Sequence, residues 1–90
     1  MYSLVIPSDV ARDLQIADDR SPSVGERLTQ LRTNPLLNAV QTNLQVMGDY
    51  YVNCGIYAIL FNINNKNESV EIVAIWRRSR LYKVLSGKVK

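Results

Sequence analysis

The chain contains no histidine. That absence removes His-ligated metal sites, Ser–His and Cys–His nucleophilic pairs, and the side chain that ordinarily titrates near neutral pH. Cysteine occurs once, at Cys54. No internal disulfide is therefore available, which fits a reducing compartment and an expected cytoplasmic location. No apolar run approaches the roughly 18 residues of a spanning helix, so no membrane association is expected. The opening MYSLVIPSD lacks the basic segment and long apolar core of a signal peptide. There are no internal repeats, no low-complexity segment and no motif for a metal or cofactor.

Charge is missing by region. No Lys or Arg occurs from Thr33 to Asn65, and residues 77–90 hold no acid. Residues 1–76 carry five cations (Arg12, Arg20, Arg27, Arg32 and Lys66) against all eight acids, a balance of −3. Residues 77–90 carry six (Arg77, Arg78, Arg80, Lys83, Lys88 and Lys90), a balance of +6. This polarity points to a polyanionic partner, nucleic acid first, or to an acidic protein.

What is present is an ordinary globular apolar content of 47% over 90 residues, enough for one small domain. We assign the domain to residues 1–82 and a basic tail, expected to bury little, to 83–90. Tyr2 to Ile6 is an expected strand ended by Pro7. A helix should follow, capped by Ser8 or Asp9, with Val10 and Leu14 on one face, fading at Asp18-Asp19-Arg20. Ser23 and Glu26 form a candidate capping box, with Pro22 at a first helical position. Val24, Leu28 and Leu31 give the second helix its apolar stripe. Asn34-Pro35 stops it. Leu36 to Met47 fits neither period well and is compatible with a helical turn followed by a short strand. Tyr50 to Cys54 is an expected strand.

The clearest signal is a hairpin. Tyr57 to Ile63 and Val70 to Trp76 alternate around Asn64-Asn65-Lys66-Asn67. Tyr57, Ile59, Phe61 and Ile63 should face the helices, with Ala58 and Leu60 opposite. On the second strand, strict alternation puts Val73 and Ile75 on one side and Ile72, Ala74 and Trp76 on the other. If that strand continues, Arg78 and Arg80 share a face that Arg77 does not. The expected class is α+β, ordered β-α-α-β-β-β, an antiparallel-rich sheet of about four strands with two helices on one face.

This order and its phrases resemble the RelE/ParE superfamily of toxins from type II toxin–antitoxin systems, slightly more on the RelE side. The resemblance rests on Arg12-Asp13-Leu14, Asn34-Pro35-Leu36, Gly48-Asp49-Tyr50, the Gly55–Phe61 strand, and Ile75-Trp76-Arg77-Arg78-Ser79-Arg80-Leu81-Tyr82. It implies a cognate antitoxin. It also implies either cleavage of mRNA in the ribosome, which stops translation, or, on the ParE side, inhibition of DNA gyrase without nuclease activity. A degenerate toxin that only binds antitoxin is a third outcome.

Under the nuclease reading, the resemblance implies Arg77, Arg78, Arg80 and Tyr82 as catalytic residues and Lys83, Lys88 and Tyr57 as RNA contacts. Guanidinium forks suit the charge that grows on a phosphate, and a tyrosine can position substrate, stack on a base or move a proton. The chain departs from the family at Ala58, where an arginine is usual, and at Tyr51 and Asn53, where lysines are common. Outside that reading, Tyr50, Tyr51 and Tyr57 are sheet-packing residues and Cys54 fills a strand. Trp76 is a core edge or antitoxin contact. The antitoxin is expected on the helical stripe or on the sheet face bearing Ile72, Ala74 and Trp76.

Overall fold

A computed structural model describes residues 1–42 and 48–87. Its elements are β1 (Ser3–Val5), α1 (Ser8–Arg20), α2 (Ser23–Thr33), β2 (Val40–Gln41), β3 (Tyr50–Cys54), β4 (Tyr57–Asn64), β5 (Ser69–Arg77) and α3 (Arg78–Leu85). The strands form one sheet in the order β1-β5-β4-β3-β2. Only β1 and β5 pair in parallel; the remaining ladders are antiparallel. The α+β class and the β-α-α-β-β-β order hold, with a two-residue β2 and a third helix added. Of the ambiguous segment, Leu36–Asn38 lie in a turn and β2 follows; 43–47 lie outside the described residues.

The helical hairpin covers one face as its stripes require. Val10, Leu14 and Ala17 of α1 and Val24 and Leu31 of α2 bury against Val52, Tyr57, Ile59, Phe61, Val70 and Ile72. The capping differs from expectation. The residue before α1 is Pro7 and that before α2 is Pro22, and neither offers a side-chain cap. The Ser23–Glu26 box does not form. Ser23 Oγ instead lies 3.1 Å from Ser21 Oγ, and Asp18 of α1 accepts from the Gly25 amide at 3.1 Å. That carboxylate sits at the positive end of α2, where a negative charge is stabilising. α1 ends at Arg20, as expected from Asp18-Asp19-Arg20, and Asp18 in its last turn serves α2.

The second sheet face is not open. α3 lies over it, and Leu81 is fully buried with Ala58, Leu60 and Tyr51, flanked by Val73, Ala74, Trp76, Val84 and Leu85. The second helical layer comes from residues the sequence reading gave to a continuing strand and a tail. Helical spacing brings Leu81, Val84 and Leu85 onto one side, so the segment after Tyr82 does bury apolar surface.

A β-bulge corrects the facing of β5. Leu60 pairs with Ala74 but Phe61 pairs with Ile72, which leaves Val73 as an extra residue. The bulge shifts the alternation by one. Ile72 and Ile75 therefore pack on the helical-hairpin side, whereas Val73, Ala74 and Trp76 face α3. The face expected for an antitoxin, with Ile72 on it, does not exist in that form, and the apolar stripe of the helical hairpin is spent in the core.

Two tight turns complete the frame. Asn64 Oδ1 accepts from the Asn67 amide at 3.1 Å, closing the β4–β5 turn. Cys54 pairs with Tyr57 across a two-residue loop in which Gly55 has φ +62°. A Cβ on Gly55 would lie 2.5 Å from Ser21 Oγ, so this loop is glycine-dependent for both conformation and space.

Candidate functional site

β5 stops at Arg77 and α3 begins at Arg78, directly beside the Gly55-Ile56 loop. The Arg78 amide donates to the Ile56 carbonyl at 2.9 Å, and Arg78 Nη1 donates to the Gly55 carbonyl at 3.2 Å. The loop thus anchors the first residue of α3 through both main chain and side chain.

One turn later, Tyr82 meets the same guanidinium. Arg78 Nε and Nη2 donate to Tyr82 Oη at 3.2 and 3.1 Å, and Asn53 Nδ2 of β3 donates to it at 3.2 Å. Three N–H groups converge on one phenol oxygen. A neutral phenol has two lone pairs to offer, and a phenolate has three, so this arrangement favours the anion. The Tyr82 pKa is accordingly lowered from its ordinary value, first by the Arg78 hydrogen bonds, with smaller help from Asn53 and the Arg78 charge and some opposition from desolvation. Tyr82 is 40% exposed, so the group meets solvent. Arg78 has five N–H groups. Three are used on Tyr82 and Gly55, which leaves one N–H on each Nη that could serve an oxyanion. Asn53 Oδ1 is buried and has no hydrogen-bond partner among the described residues.

The other predicted arginines are elsewhere. The start of α3 turns Arg80 away from Arg78, and its guanidinium carbon lies 4.2 Å from the centroid of the Trp76 ring. Arg77 and Arg80 line a second groove with Arg20 of α1, on the helical-hairpin side of the sheet end. Thus Arg78 and Arg80 do not share a face, because the strand does not continue. Tyr57 is 7% exposed and belongs to the core, although its edge reaches that second groove. Lys83 lies exposed on α3, and Lys88 is outside the described residues. Ala58 and Tyr51, where the resemblance implies cations, are buried under α3.

The sequence reading missed Asn53 as a partner of the tyrosine and the Gly55 carbonyl as an anchor. The four-residue spacing of Arg78 and Tyr82 was the available signal, since it pairs side chains only on a helix. Among the described residues, no three His, Cys, Asp or Glu side chains group as metal ligands would.

No protein-family model matches the chain, and no curated protein matches it. A solved structure does match. It is a chain in the crystal structure of the toxin–antitoxin complex RelBE2 from Mycobacterium tuberculosis, with a TM-score of 0.66. This chain has the same fold. The superposition covers 86% of the present chain and 98% of the RelBE2 chain at 20% identity, so what is common is architecture. It reaches nearly the whole length of its counterpart and is not confined to the hairpin.

Proposed function

We propose that this protein is the toxin of a type II toxin–antitoxin pair and that it cleaves mRNA on the ribosome. The reading is carried by the Arg78–Tyr82–Asn53 cluster, held at the end of a sheet whose fold is shared with a chain of the RelBE2 complex. It is supported by the basic C-terminal segment.

In the proposed step the ribose 2′-oxygen attacks the adjacent phosphorus, an O2′–P bond forms, and the P–O5′ bond breaks. Tyr82, as phenolate, takes the 2′ proton. The free N–H groups of Arg78 fork onto the non-bridging oxygens as their charge grows. Water protonates the departing 5′ oxygen. The products are a 2′,3′-cyclic phosphate and a 5′-hydroxyl. Expression without antitoxin should stop translation and leave 3′-truncated transcripts. Tyr82→Phe should lower cleavage about 10²–10⁴-fold, the span of a general base. Intact transcripts during growth arrest would overturn the assignment.

One observation favours a second reading. Tyr51 and Ala58 are buried beneath α3, so neither β3 nor β4 contributes a cation beside Tyr82. A toxin of the ParE kind, acting on DNA gyrase, would need no such cations. It predicts DNA breaks and filamentation while translation continues at first, an order of events that separates it from the nuclease.

A further inference from the structure

Arg20, Arg77 and Arg80 converge on one groove, with Trp76, Tyr57, Ile75 and Ile16 among its walls. Two distant parts of the sequence supply it: the last turn of α1, and the adjoining end of β5 and first turn of α3. None of the three guanidinium groups forms an ion pair or hydrogen bond among the described residues; Arg80 only lies on the Trp76 ring. Asp13 is also on the wall and is the single opposing charge among the described residues. Three cations against one carboxylate leave the groove at +2.

Unpaired like charges repel, and such a grouping is costly to the isolated fold unless an anion receives it. The groups are planar forks, which suits phosphodiester oxygens better than a point charge would. An indole with one face under Arg80 adds a flat apolar wall for a sugar or base. The groove is also continuous with the Arg78–Tyr82 site, since Arg77 and Ser79 line both. A strand leaving Tyr82 over the first turn of α3 therefore meets Arg77, then Arg80 and Arg20.

We infer that the Arg20–Arg77–Arg80 groove is a second phosphodiester subsite, which holds the backbone of single-stranded RNA on the helical-hairpin side of the sheet. The assignment rests on the nuclease reading of the Arg78–Tyr82 site and extends it from one phosphate to a track. Arg20 lies far from Tyr82 in sequence and on a different layer, so it reports on the groove alone.

The test is fluorescence anisotropy of a labelled single-stranded RNA decamer on the full chain, with Trp76 emission as a second signal, because Trp76 is the only tryptophan. Arg20→Ala and Arg80→Ala should each weaken binding about 3–10-fold and lower the slope of log affinity against log salt by about 0.7. Arg12→Ala removes the same charge from α1 outside this groove and should change affinity by less than about twofold, as a distant surface charge does. RNA should shift Trp76 emission in the wild type and not in Arg20→Ala.

Equal effects of Arg12→Ala and Arg20→Ala would overturn the subsite, leaving general charge attraction. So would inorganic phosphate that moves Trp76 emission as fully as RNA does, which would mark a plain anion site. If Arg20→Ala spared RNA but lost binding to an oligoglutamate decamer, the groove would belong to an acidic polypeptide. A wild type that neither binds the decamer nor cuts mRNA when ribosomes are supplied defeats the nuclease reading itself. A wild type that cuts RNA while Arg20→Ala and Arg80→Ala match it defeats only the groove.

Discussion

Arg78 and Tyr82 face each other across one turn of α3, joined by hydrogen bonds of 3.2 and 3.1 Å from a single guanidinium to a single phenol oxygen. The guanidinium carbon also lies 5.6 Å from the Tyr82 ring centroid. This contact fixes the titration of the phenol. The native state holds the Tyr82 pKa below the ordinary 10, so the anion appears at lower pH than in the unfolded chain. The stabilisation is present above the unfolded pKa and is lost as pH falls through the folded one. Ultraviolet titration of wild type minus Tyr82→Phe should show one tyrosine ionising below 10, and Arg78→Ala should move it upward. Under the nuclease proposal, cleavage should rise with pH through the same inflection. A Tyr82 component at or above the free value would refute the three-donor reading.

Much of this frame was legible in the sequence, and the exceptions have physical causes. The hairpin, the helical stripes and the Asn34-Pro35 stop are periodic or local signals, and each holds. α3 was hidden because Arg78 to Leu85 begins inside a run of charge and follows an extended strand without a capping side chain. Its helicity comes from packing Leu81 onto Leu60 and Ala58, a tertiary effect that propensity does not reveal. The site was half legible. Arg78 and Tyr82 were named, but treating the segment as a strand paired Arg78 with Arg80. Asn53 entered the sequence reading only as a missing lysine.

Placing at Ala58 the arginine that the RelE/ParE resemblance implies should fail. Ala58 is fully buried opposite Trp76 and beneath Leu81. A guanidinium there would either lie uncompensated in the interior or lift α3 from the sheet. Ala58→Arg should cost about 3–5 kcal/mol in urea unfolding, the range for an unpaired buried charge. A loss under about 1 kcal/mol would show that α3 leaves the sheet at little cost.

Gly55→Ala tests the anchor loop. Its positive φ and the Ser21 hydroxyl both oppose a side chain, and the left-handed conformation alone costs about 1–2 kcal/mol. Thermal unfolding should fall accordingly, and Ser21→Ala in the same chain should recover the steric part only. Because the Gly55 carbonyl holds Arg78, the Tyr82 titration should rise toward 10 alongside.

Cys54 should be inert. It is buried, and desolvation raises its pKa from 9.0 to about 11 against a small opposing effect of Arg27. The thiol stays protonated at neutral pH, and the raised native pKa makes the fold lose stability as pH climbs from 9 toward 11. Iodoacetamide labelling at neutral pH should wait for unfolding and speed up sharply in urea. Fast labelling of the native chain would place the thiol outside the core.

The bulge at Val73 has a further meaning at the far end of its strand. Strict alternation from Ile72 would turn Trp76 toward the helical hairpin and Arg77 toward α3. The extra residue reverses both. It therefore turns Arg77 toward the groove it lines with Arg20, while Arg78, the first residue of α3, turns to Tyr82. A kink of one residue, four positions upstream of Arg77, thus decides which side of the sheet end that first guanidinium serves.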